Sequence, residues 1–330
     1  MNTTPALFGA VVIMKIQLRH FKFLCGGLAV LLSAGANASE LLVSSFFSNA
    51  ITRYDTTTSS VVGTYTGGTV SGALGMRVGP DGLLYVCSET NNSIQRFNTV
   101  THAYVDTIIS GANLNGPTGI TFDASNNILV GNFNGDTVTK YSPTGTFIST
   151  FVTAGSGGIN GPDVGITIGP DGKLYVPSFD SNSVLRYNAS TGAFIDTFIP
   201  AGGAGLMSQP RTILFRDNKV WITSDNGNKV LRYGLDGTFI DTFVTAGSGG
   251  LSGASGMVFG DDGLLYISSW RNNRIIKYSM TDGSFAGNAI TSGLSGPTYI
   301  MMVPEPTTIL GIGVGLAAIA LKRRKRLNVK

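Results

Sequence analysis

The chain has few of the side chains that carry out redox, metal or nucleophilic chemistry. Its 330 residues include only two cysteines and two histidines, and charged residues make up 13%. Cys25 lies in a segment typical of a signal peptide, so the exported protein would hold Cys87 alone and could form no intrachain disulfide. Cys87 follows a strand pattern, which favours a buried, unreactive thiol. The sequence also has no Gly-x-Ser-x-Gly elbow, phosphate-binding loop or His/Cys metal spacing.

The charges that are present are unevenly distributed. The sequence carries 23 basic and 19 acidic residues, but nine of the basic ones lie before residue 39 or after residue 306. Residues 39–306 therefore hold 14 basic against 19 acidic residues, a net charge of −5. A nucleic-acid-binding surface needs clustered basic residues to neutralise phosphates. The body of the chain has no such cluster, so we expect no nucleic-acid partner.

Residues 1–38 have the layout of a secretory signal peptide. A basic segment begins at Met14, an apolar run covers residues 23–34, and an Ala-Asn-Ala cleavage site precedes Ser39. The apolar run is shorter than the roughly 20 residues that a membrane-spanning helix needs, which argues against an uncleaved anchor. We expect Met14 to be the natural start, the Sec machinery to export the chain, and the mature protein to begin near Ser39.

Residues 304–330 have the layout of a second targeting signal. Pro304, Glu305 and Pro306 precede an apolar run over residues 307–321 and a basic cluster over residues 322–326. This order resembles the PEP-CTERM sorting signal of Gram-negative bacteria: a Pro-Glu-Pro motif, a transmembrane helix and a basic cytoplasmic end. Lys and Arg beside an apolar helix keep that side in the cytoplasm, which supports the layout. The resemblance implies that the membrane protease exosortase removes the tail; a permanent C-terminal anchor is the alternative.

Between these ends, a strand pattern that finishes in an aromatic residue recurs six times. Each copy has an apolar residue, any residue, Arg or Lys, and then the aromatic, and the copies are 43 to 46 residues apart. The aromatic residues are Tyr54, Phe97, Tyr141, Tyr187, Tyr233 and Tyr278. A period of about 45 residues is typical of propeller blades. Residues 41–302 show no sustained 3.6-residue apolar rhythm that would indicate helices.

Each repeat divides into four short strands joined by turns. In the fourth repeat the predicted strands cover residues 165–168, 174–177, 183–188 and 194–199, with Gly-containing turns between the first and the last pairs. The first repeat has only three strands, whereas residues 296–302 match the start of an inner strand. The sequence therefore predicts an all-β, six-bladed β-propeller with four-stranded blades over residues 39–303. Its C-terminal strand completes the first blade and closes the ring.

The repeats resemble those of NHL-repeat propellers through the motif Asn-x-Val-x-Arg-Tyr, present here from Asn182 to Tyr187. The resemblance implies a monomeric propeller with its functional loops at the mouth of the ring, between the second and third strands of each blade. Aligned, these loops begin with Phe46, Glu89, Phe133, Phe179, Asp225 and Trp270. The next column is Phe47, Thr90, Asn134, Asp180, Asn226 and Arg271.

The first column, together with Asp180 and Arg271, contains the candidate ligand-binding residues. Four of its six members are aromatic where a loop should be polar. Aromatic rings with interspersed polar groups suit a sugar or an extended polymer. The alternative is that these rings plug the central channel or pack beneath the links between blades.

An enzyme is the competing hypothesis. Gluconolactonase-like six-bladed propellers hold a divalent metal on the ring axis with acidic and Asn residues. The equivalent positions here are Leu74, Thr118, Val164, Arg211, Ser255 and Thr298, with Asp163 as a displaced acid. Streptogramin-lyase-type propellers, which the repeats also resemble, rely on an axial His, whereas His102 lies in a turn on the opposite rim. We therefore predict no catalytic residue, no metal site and no cofactor; a hydrolytic pair or a Ca²⁺ site formed by Glu89, Asp180 and Asp225 is the open alternative.

These observations lead to one expectation about function. The chain should be a secreted or envelope-surface protein of a Gram-negative bacterium, anchored transiently in the membrane by its tail and processed by exosortase. It should act as a binding or scaffold module for polysaccharide or for another surface protein. A metal-dependent hydrolase or lactonase is the alternative.

Overall fold

Short β-branched and aromatic runs, separated by turns rich in Gly, Asn and Asp, form the strands of this protein. We describe a computed structural model over residues 40–111 and 113–303. The predicted signal peptide and sorting tail lie outside these residues, as does the transmembrane helix expected within the tail. No helix in the described part is long and apolar enough to cross a membrane.

The described residues form twenty-four strands in six four-stranded antiparallel sheets, which are the blades of a propeller. Blade 1 contains β24 (Pro297–Val303), β1 (Glu40–Ser45), β2 (Ala50–Asp55) and β3 (Val61–Thr64). Blade 2 contains β4 (Ala73–Val78), β5 (Leu83–Ser88), β6 (Ser93–Asn98) and β7 (Tyr104–Ser110). Blade 3 contains β8 (Pro117–Phe122), β9 (Ile128–Asn132), β10 (Thr137–Tyr141) and β11 (Phe147–Val152).

The second half of the ring repeats this order. Blade 4 contains β12 (Thr167–Ile168), β13 (Lys173–Ser178), β14 (Ser183–Asn188) and β15 (Phe194–Ile199). Blade 5 contains β16 (Pro210–Arg216), β17 (Lys219–Ser224), β18 (Lys229–Gly234) and β19 (Phe239–Val244). Blade 6 contains β20 (Ala254–Phe259), β21 (Leu264–Ser269), β22 (Arg274–Ser279) and β23 (Phe285–Ile290). Short 3-10 turns cover Phe133–Gly135, Ser156–Gly158, Ser248–Gly250 and Trp270–Asn272.

The ring closes as the sequence predicts. β24 pairs antiparallel with β1, so that Val303 lies opposite Glu40 and Ile300 opposite Val43. This last strand is the inner strand of a blade whose other three strands come from the start of the chain. Because the two ends of the chain share one sheet, opening the ring requires breaking a complete strand pairing.

Neighbouring blades pack through apolar side chains on both faces of their middle strands. Leu129 and Val138 of blade 3, for example, share one buried cluster with Val176, Leu185 and Tyr187 of blade 4. At the axis the backbones themselves come close: a Cβ on Gly119 would lie 2.7 Å from the carbonyl oxygen of Asp163. Glycine is needed at this position because the inner strands of adjacent blades leave no room for a side chain.

The aromatic residue of each repeat is buried and, where it is a tyrosine, also fastens the link that enters its own blade. The hydroxyl of Tyr187 donates to the carbonyl of Ser156 at 2.7 Å, and that of Tyr278 donates to Ser248 at the same distance. The hydroxyls of Tyr54, Tyr141 and Tyr233 also donate to link carbonyls. The repeated aromatic therefore combines core packing with control of the link.

A second, six-fold set of hydrogen bonds joins each blade to the next. In every blade an Asn or Asp with positive φ accepts a hydrogen bond, at 2.6 to 2.8 Å, from a backbone N–H at the start of the next blade. The acceptors are Asn49, Asn92, Asp136, Asn182, Asn228 and Asn273; the donors are Gly72, Gly116, Gly161, Gln209, Gly253 and Gly296. We call these six contacts the interblade clasp. Asn and Asp suit both tasks, because they tolerate left-handed backbone and carry a short side-chain acceptor.

We expect Asn182→Ala to lower the free energy of unfolding by about 2 kcal/mol, because it removes one clasp bond and forces alanine into left-handed backbone. Asn182→Asp is the matched control, since Asp136 fills the same place in blade 3, and it should change stability by far less. Urea unfolding measures both. Equal losses in the two variants would contradict the role assigned to the side-chain acceptor.

Tyr187→Phe should lower the free energy of unfolding by about 1 kcal/mol, because the half-buried carbonyl of Ser156 loses the hydroxyl donor and keeps the N–H of Ile159, while ring packing is kept. Tyr104→Phe is the control, since its hydroxyl binds Thr107 at an exposed position. Thermal unfolding of the two variants gives the comparison. A Tyr187→Phe variant as stable as the parent would show that the link is held by packing alone.

Candidate ligand-binding mouth

Six four-residue turns, which join the two central strands of each blade, form one end of the ring, which we call the mouth. Their first residues are Phe46, Glu89, Phe133, Phe179, Asp225 and Trp270, and their fourth residues are the acceptors of the interblade clasp. The N–H of each first residue donates, at 2.8 to 3.1 Å, to the carbonyl of the same link residue that donates to the clasp. Hydrogen bonds therefore hold the backbone of each turn. They do not involve the side chain of its first residue, so the amino acid at that position can differ from blade to blade.

Most of these side chains belong to a continuous arc of rings that contact one another edge-to-face or at a tilt. Phe133 contacts Phe179 with ring centroids 5.7 Å apart. The guanidinium of Arg211 lies 4.7 Å from the ring of Phe179 and 5.5 Å from that of Trp270. Trp270 lies 6.4 Å from Phe47, and Phe47 lies 5.2 Å from Phe46. Arg211, from the inner strand of blade 5, thus takes the place of an aromatic in the blade whose turn begins with Asp225.

This arc surrounds a cavity of about 200 Å³. Its lining residues are Phe46, Phe47, Leu74, Glu89, Thr118, Phe133, Asp163, Arg211, Trp270 and Thr298. Phe47 is 64% exposed, whereas Phe46, Phe133 and Trp270 are half-buried. Aromatic faces at the rim and hydroxyl, carboxylate and guanidinium groups lower down give the cavity both apolar and polar contacts.

An ion-pair network is joined to the aromatic arc through Arg211. Arg211 contacts Asp163 through Nη1 at 3.1 Å and Asp225 through Nε at 2.5 Å. Arg271 contacts the other oxygen of Asp225 at 2.5 Å, and the indole N–H of Trp270 donates to Asp225 at 2.9 Å. Asp163 and Asp225 are buried. Burial raises the pKa of Asp163, although Arg211 partly opposes the shift; burial also opposes the charge of Arg211, but Asp163 and Asp225 outweigh it and raise the pKa of Arg211.

The inner strand of blade 4 is reshaped to bring Asp163 into this network. The predicted strand over residues 165–168 is only two residues long, from Thr167 to Ile168. Upstream, the N–H of Ile166 donates to the Asp163 carbonyl, and the N–H of Val164 donates to the Asp163 carboxylate at 2.7 Å. The shortening follows from this local turn, which gives up ladder bonds and directs a carboxylate toward Arg211.

The eight predicted site residues divide into three groups. Phe46, Glu89, Phe133 and Trp270 line the cavity. Phe179 packs on Phe133 and Arg211, while Asp225 and Arg271 belong to the ion-pair network. Asp180 is exposed and is not among the lining residues.

Alignment of the six repeats does not identify every residue that lines the cavity. It leaves Phe47 out of the candidate set. It also treats five lining residues only as axial positions that do not match a metal site: Arg211, Asp163, Leu74, Thr118 and Thr298. The structure places all six around the cavity. The signal that could have revealed Arg211 is the absence of an aromatic in the blade 5 turn.

The other reactive side chains lie apart from the mouth. Cys87 is buried in β5, and burial raises the pKa of its thiol. His102 lies 3.0 Å from Arg53 through Nδ1, in the turn between β6 and β7, and burial lowers the pKa of its imidazole. Within residues 40–111 and 113–303, no group of three or more His, Cys, Asp or Glu side chains could hold a metal ion.

Three solved structures illustrate the likeness of the fold to known proteins. A nidogen/laminin complex chain matches with a TM-score of 0.65 and 15% identity, over 80% of this chain and 98% of that chain. A streptogramin B lyase matches with a TM-score of 0.58 and 17% identity, over 81% and 88%. A putative 6-phosphogluconolactonase from Bacteroides uniformis matches with a TM-score of 0.58 and 14% identity, over 81% and 100%. At these identities the likeness concerns the fold alone. No curated protein matches in sequence.

We expect Arg211→Met to lower the free energy of unfolding by about 3 to 5 kcal/mol at neutral pH, because Asp163 is left buried without its cation. Asp163 has a raised pKa in the folded state, so the penalty is present above that pKa and shrinks as the pH falls and the acid takes up a proton. Arg216→Met is the control, because Arg216 also lies over an aromatic ring, that of Phe259, but its ion pair, at 3.8 Å, is with the exposed Asp217. Urea unfolding at several pH values tests this; a loss independent of pH would contradict it.

At the C-terminus, residues 303–325 match the PEP-CTERM protein-sorting motif. This match confirms that the signal predicted over residues 304–330 is of the PEP-CTERM kind. Such a motif implies a surface protein that exosortase processes. The chain is therefore a six-bladed β-propeller that carries a PEP-CTERM sorting motif at its C-terminus.

Proposed function

We propose that this protein is an exported cell-surface binding module that takes a polysaccharide segment at the mouth of its propeller. The aromatic arc around the cavity is the observation that carries the proposal. Sugar rings present apolar C–H faces that stack on aromatic side chains and a rim of hydroxyls that needs polar partners. The cavity, at about 200 Å³, has room for about one sugar ring, with neighbouring rings of a polymer extending over the exposed Phe47.

The course of β24, from the mouth to the far rim, supports this role. β24 begins beside the mouth, where Pro297 lies opposite Ser45, and ends at Val303 opposite Glu40 on the far rim. The sorting motif begins at Val303. A propeller held at its C-terminal end, before or after processing, would present its mouth away from the point of attachment.

The rigidity of the turns also supports a binding role. Each turn is held by a clasp bond and by a hydrogen bond to its link, so the rings are positioned before any ligand arrives. A preformed site loses less conformational entropy on binding than a mobile one. The edge-to-face contact of Phe133 with Phe179 and the contacts of Arg211 with Phe179 and Trp270 restrict these side chains further.

Phe47→Ala should weaken binding of the purified propeller, residues 39–303, to its polysaccharide by about 10-fold, or about 1.4 kcal/mol, with little change in stability. Phe47 is the right choice because it is 64% exposed and contributes little to the core. Phe285→Ala is the matched control, since Phe285 is 46% exposed on β23, an outer strand. Glycan arrays followed by calorimetry provide the measurement.

Failure of the unmodified propeller to bind any glycan or matrix fraction would overturn the proposal. So would equal binding by the Phe47→Ala variant, which would place the contact elsewhere on the ring. Turnover of sugar lactones in the presence of Ca²⁺, Zn²⁺ or Mg²⁺ would instead indicate the metal-dependent lactonase hypothesis.

A further inference from the structure

The carboxylate of Glu89 differs from those of Asp163 and Asp225 in its contacts. Asp163 and Asp225 both contact Arg211, and Asp225 also contacts Arg271. Among the described residues, the Glu89 carboxylate forms neither an ion pair nor a hydrogen bond, although it lines the cavity. Burial raises the pKa of Glu89, Asp163 raises it further, and Arg211 partly offsets both.

The charges around the cavity therefore do not balance. The two arginines compensate Asp163 and Asp225, which leaves Glu89, among the described residues that line the cavity, as a carboxylate with no ion pair. Unpaired carboxylates in partly buried positions are unfavourable, and a ligand that brings a positive charge would remove that cost. An anionic sugar placed at the same position would meet repulsion.

The position of Glu89 in the ring suggests how such a ligand would lie. The arc runs from Phe133 in blade 3 through blades 4, 5 and 6 to Phe46 in blade 1. Blade 2 lies between the two ends of the arc and contributes Glu89 in place of an aromatic ring. A ligand ring stacked on the arc would thus have one edge directed at a carboxylate.

We propose that the mouth selects a saccharide unit that carries a protonated amine, with the ammonium group bound by Glu89 and the sugar ring stacked on the aromatic arc. This inference rests on the saccharide-binding role proposed above and narrows its ligand to amino sugars with a free amine. An ammonium beside aromatic rings gains cation–π attraction in addition to the ion pair. An N-acetylated sugar keeps the ring and the hydroxyls but has no charge to offer.

A bare metal cation explains the unpaired charge less well. Ca²⁺ takes six to eight oxygen ligands, whereas Phe46, Phe133, Trp270 and Leu74 supply no side-chain oxygen around the cavity. An ammonium has three N–H donors, of which the Glu89 carboxylate can accept one or two, and it tolerates the apolar ring faces that line the same cavity.

The test compares a glucosamine oligomer with an N-acetylglucosamine oligomer of the same length, at a pH where the free amine is protonated and the Glu89 carboxylate is ionised. Titration calorimetry with the propeller, residues 39–303, should show at least about 10-fold tighter binding of the glucosamine oligomer. Glu89→Gln, which keeps the shape of the side chain and removes its charge, should abolish this preference by weakening binding of the glucosamine oligomer by at least about 10-fold more than binding of the N-acetylated oligomer.

Asp180→Asn is the matched control, because Asp180 is an exposed acid in a turn of the same mouth that does not line the cavity. It should keep the preference. Equal binding of the two oligomers, or equal effects of Glu89→Gln and Asp180→Asn, would overturn the assignment of the amine to Glu89 while leaving saccharide binding intact. Failure of both oligomers and of every other glycan to bind would instead overturn the proposed function.

Discussion

The interblade clasp is the interaction on which both the ring and its mouth depend. Six Asn or Asp side chains reach from one blade to the backbone of the next, and the same link residues accept hydrogen bonds from the turns of their own blades. Every link is therefore held from both sides. Because the ring is closed by β24 on β1, the loss of one contact is resisted by the other five and by a complete strand pairing. The first residue of each turn takes no part in the clasp through its side chain, so the mouth can vary while the ring is maintained.

The arrangement of charge at the mouth follows from which amino acid each blade has at the first position of its turn. Blade 5 places Asp225 at the position where its neighbours have Phe179 and Trp270, and a buried carboxylate requires compensation. Arg211 supplies it from the inner strand and at the same time stacks between those two aromatic rings. Asp163 then compensates the remaining side of Arg211, at the expense of a regular inner strand in blade 4. Glu89 in blade 2 faces the cavity with no cation of its own, which distinguishes it chemically from the other two acids.

Features that recur in all six repeats could be predicted from the sequence, because six copies of a pattern can be compared with one another. The strands Ser183–Asn188 and Phe194–Ile199, the period of the aromatic column and the closing strand near Pro297 all belong to this class. The acceptor of the clasp is visible in the alignment of the repeats as the Asn of Asn-x-Val-x-Arg-Tyr. Its hydrogen-bond partner could not be recognised there, because that partner is a backbone N–H in the next blade. Arg211, Asp163 and Asp225 could not be related in this way, because each occurs once and their contacts cross blades. The mouth could thus be located by comparing repeats, while its electrostatics required the geometry.

The propeller and its sorting motif meet at the end of the described residues. β24 is the inner strand of blade 1, and its last described residue, Val303, lies opposite Glu40 of β1. The motif begins at this same residue. A cut within the Pro-Glu-Pro segment would therefore remove no ladder hydrogen bond from β24. The same geometry places the start of the motif on the rim opposite the mouth, so sorting and binding would use opposite ends of one closed ring and need not interfere with each other.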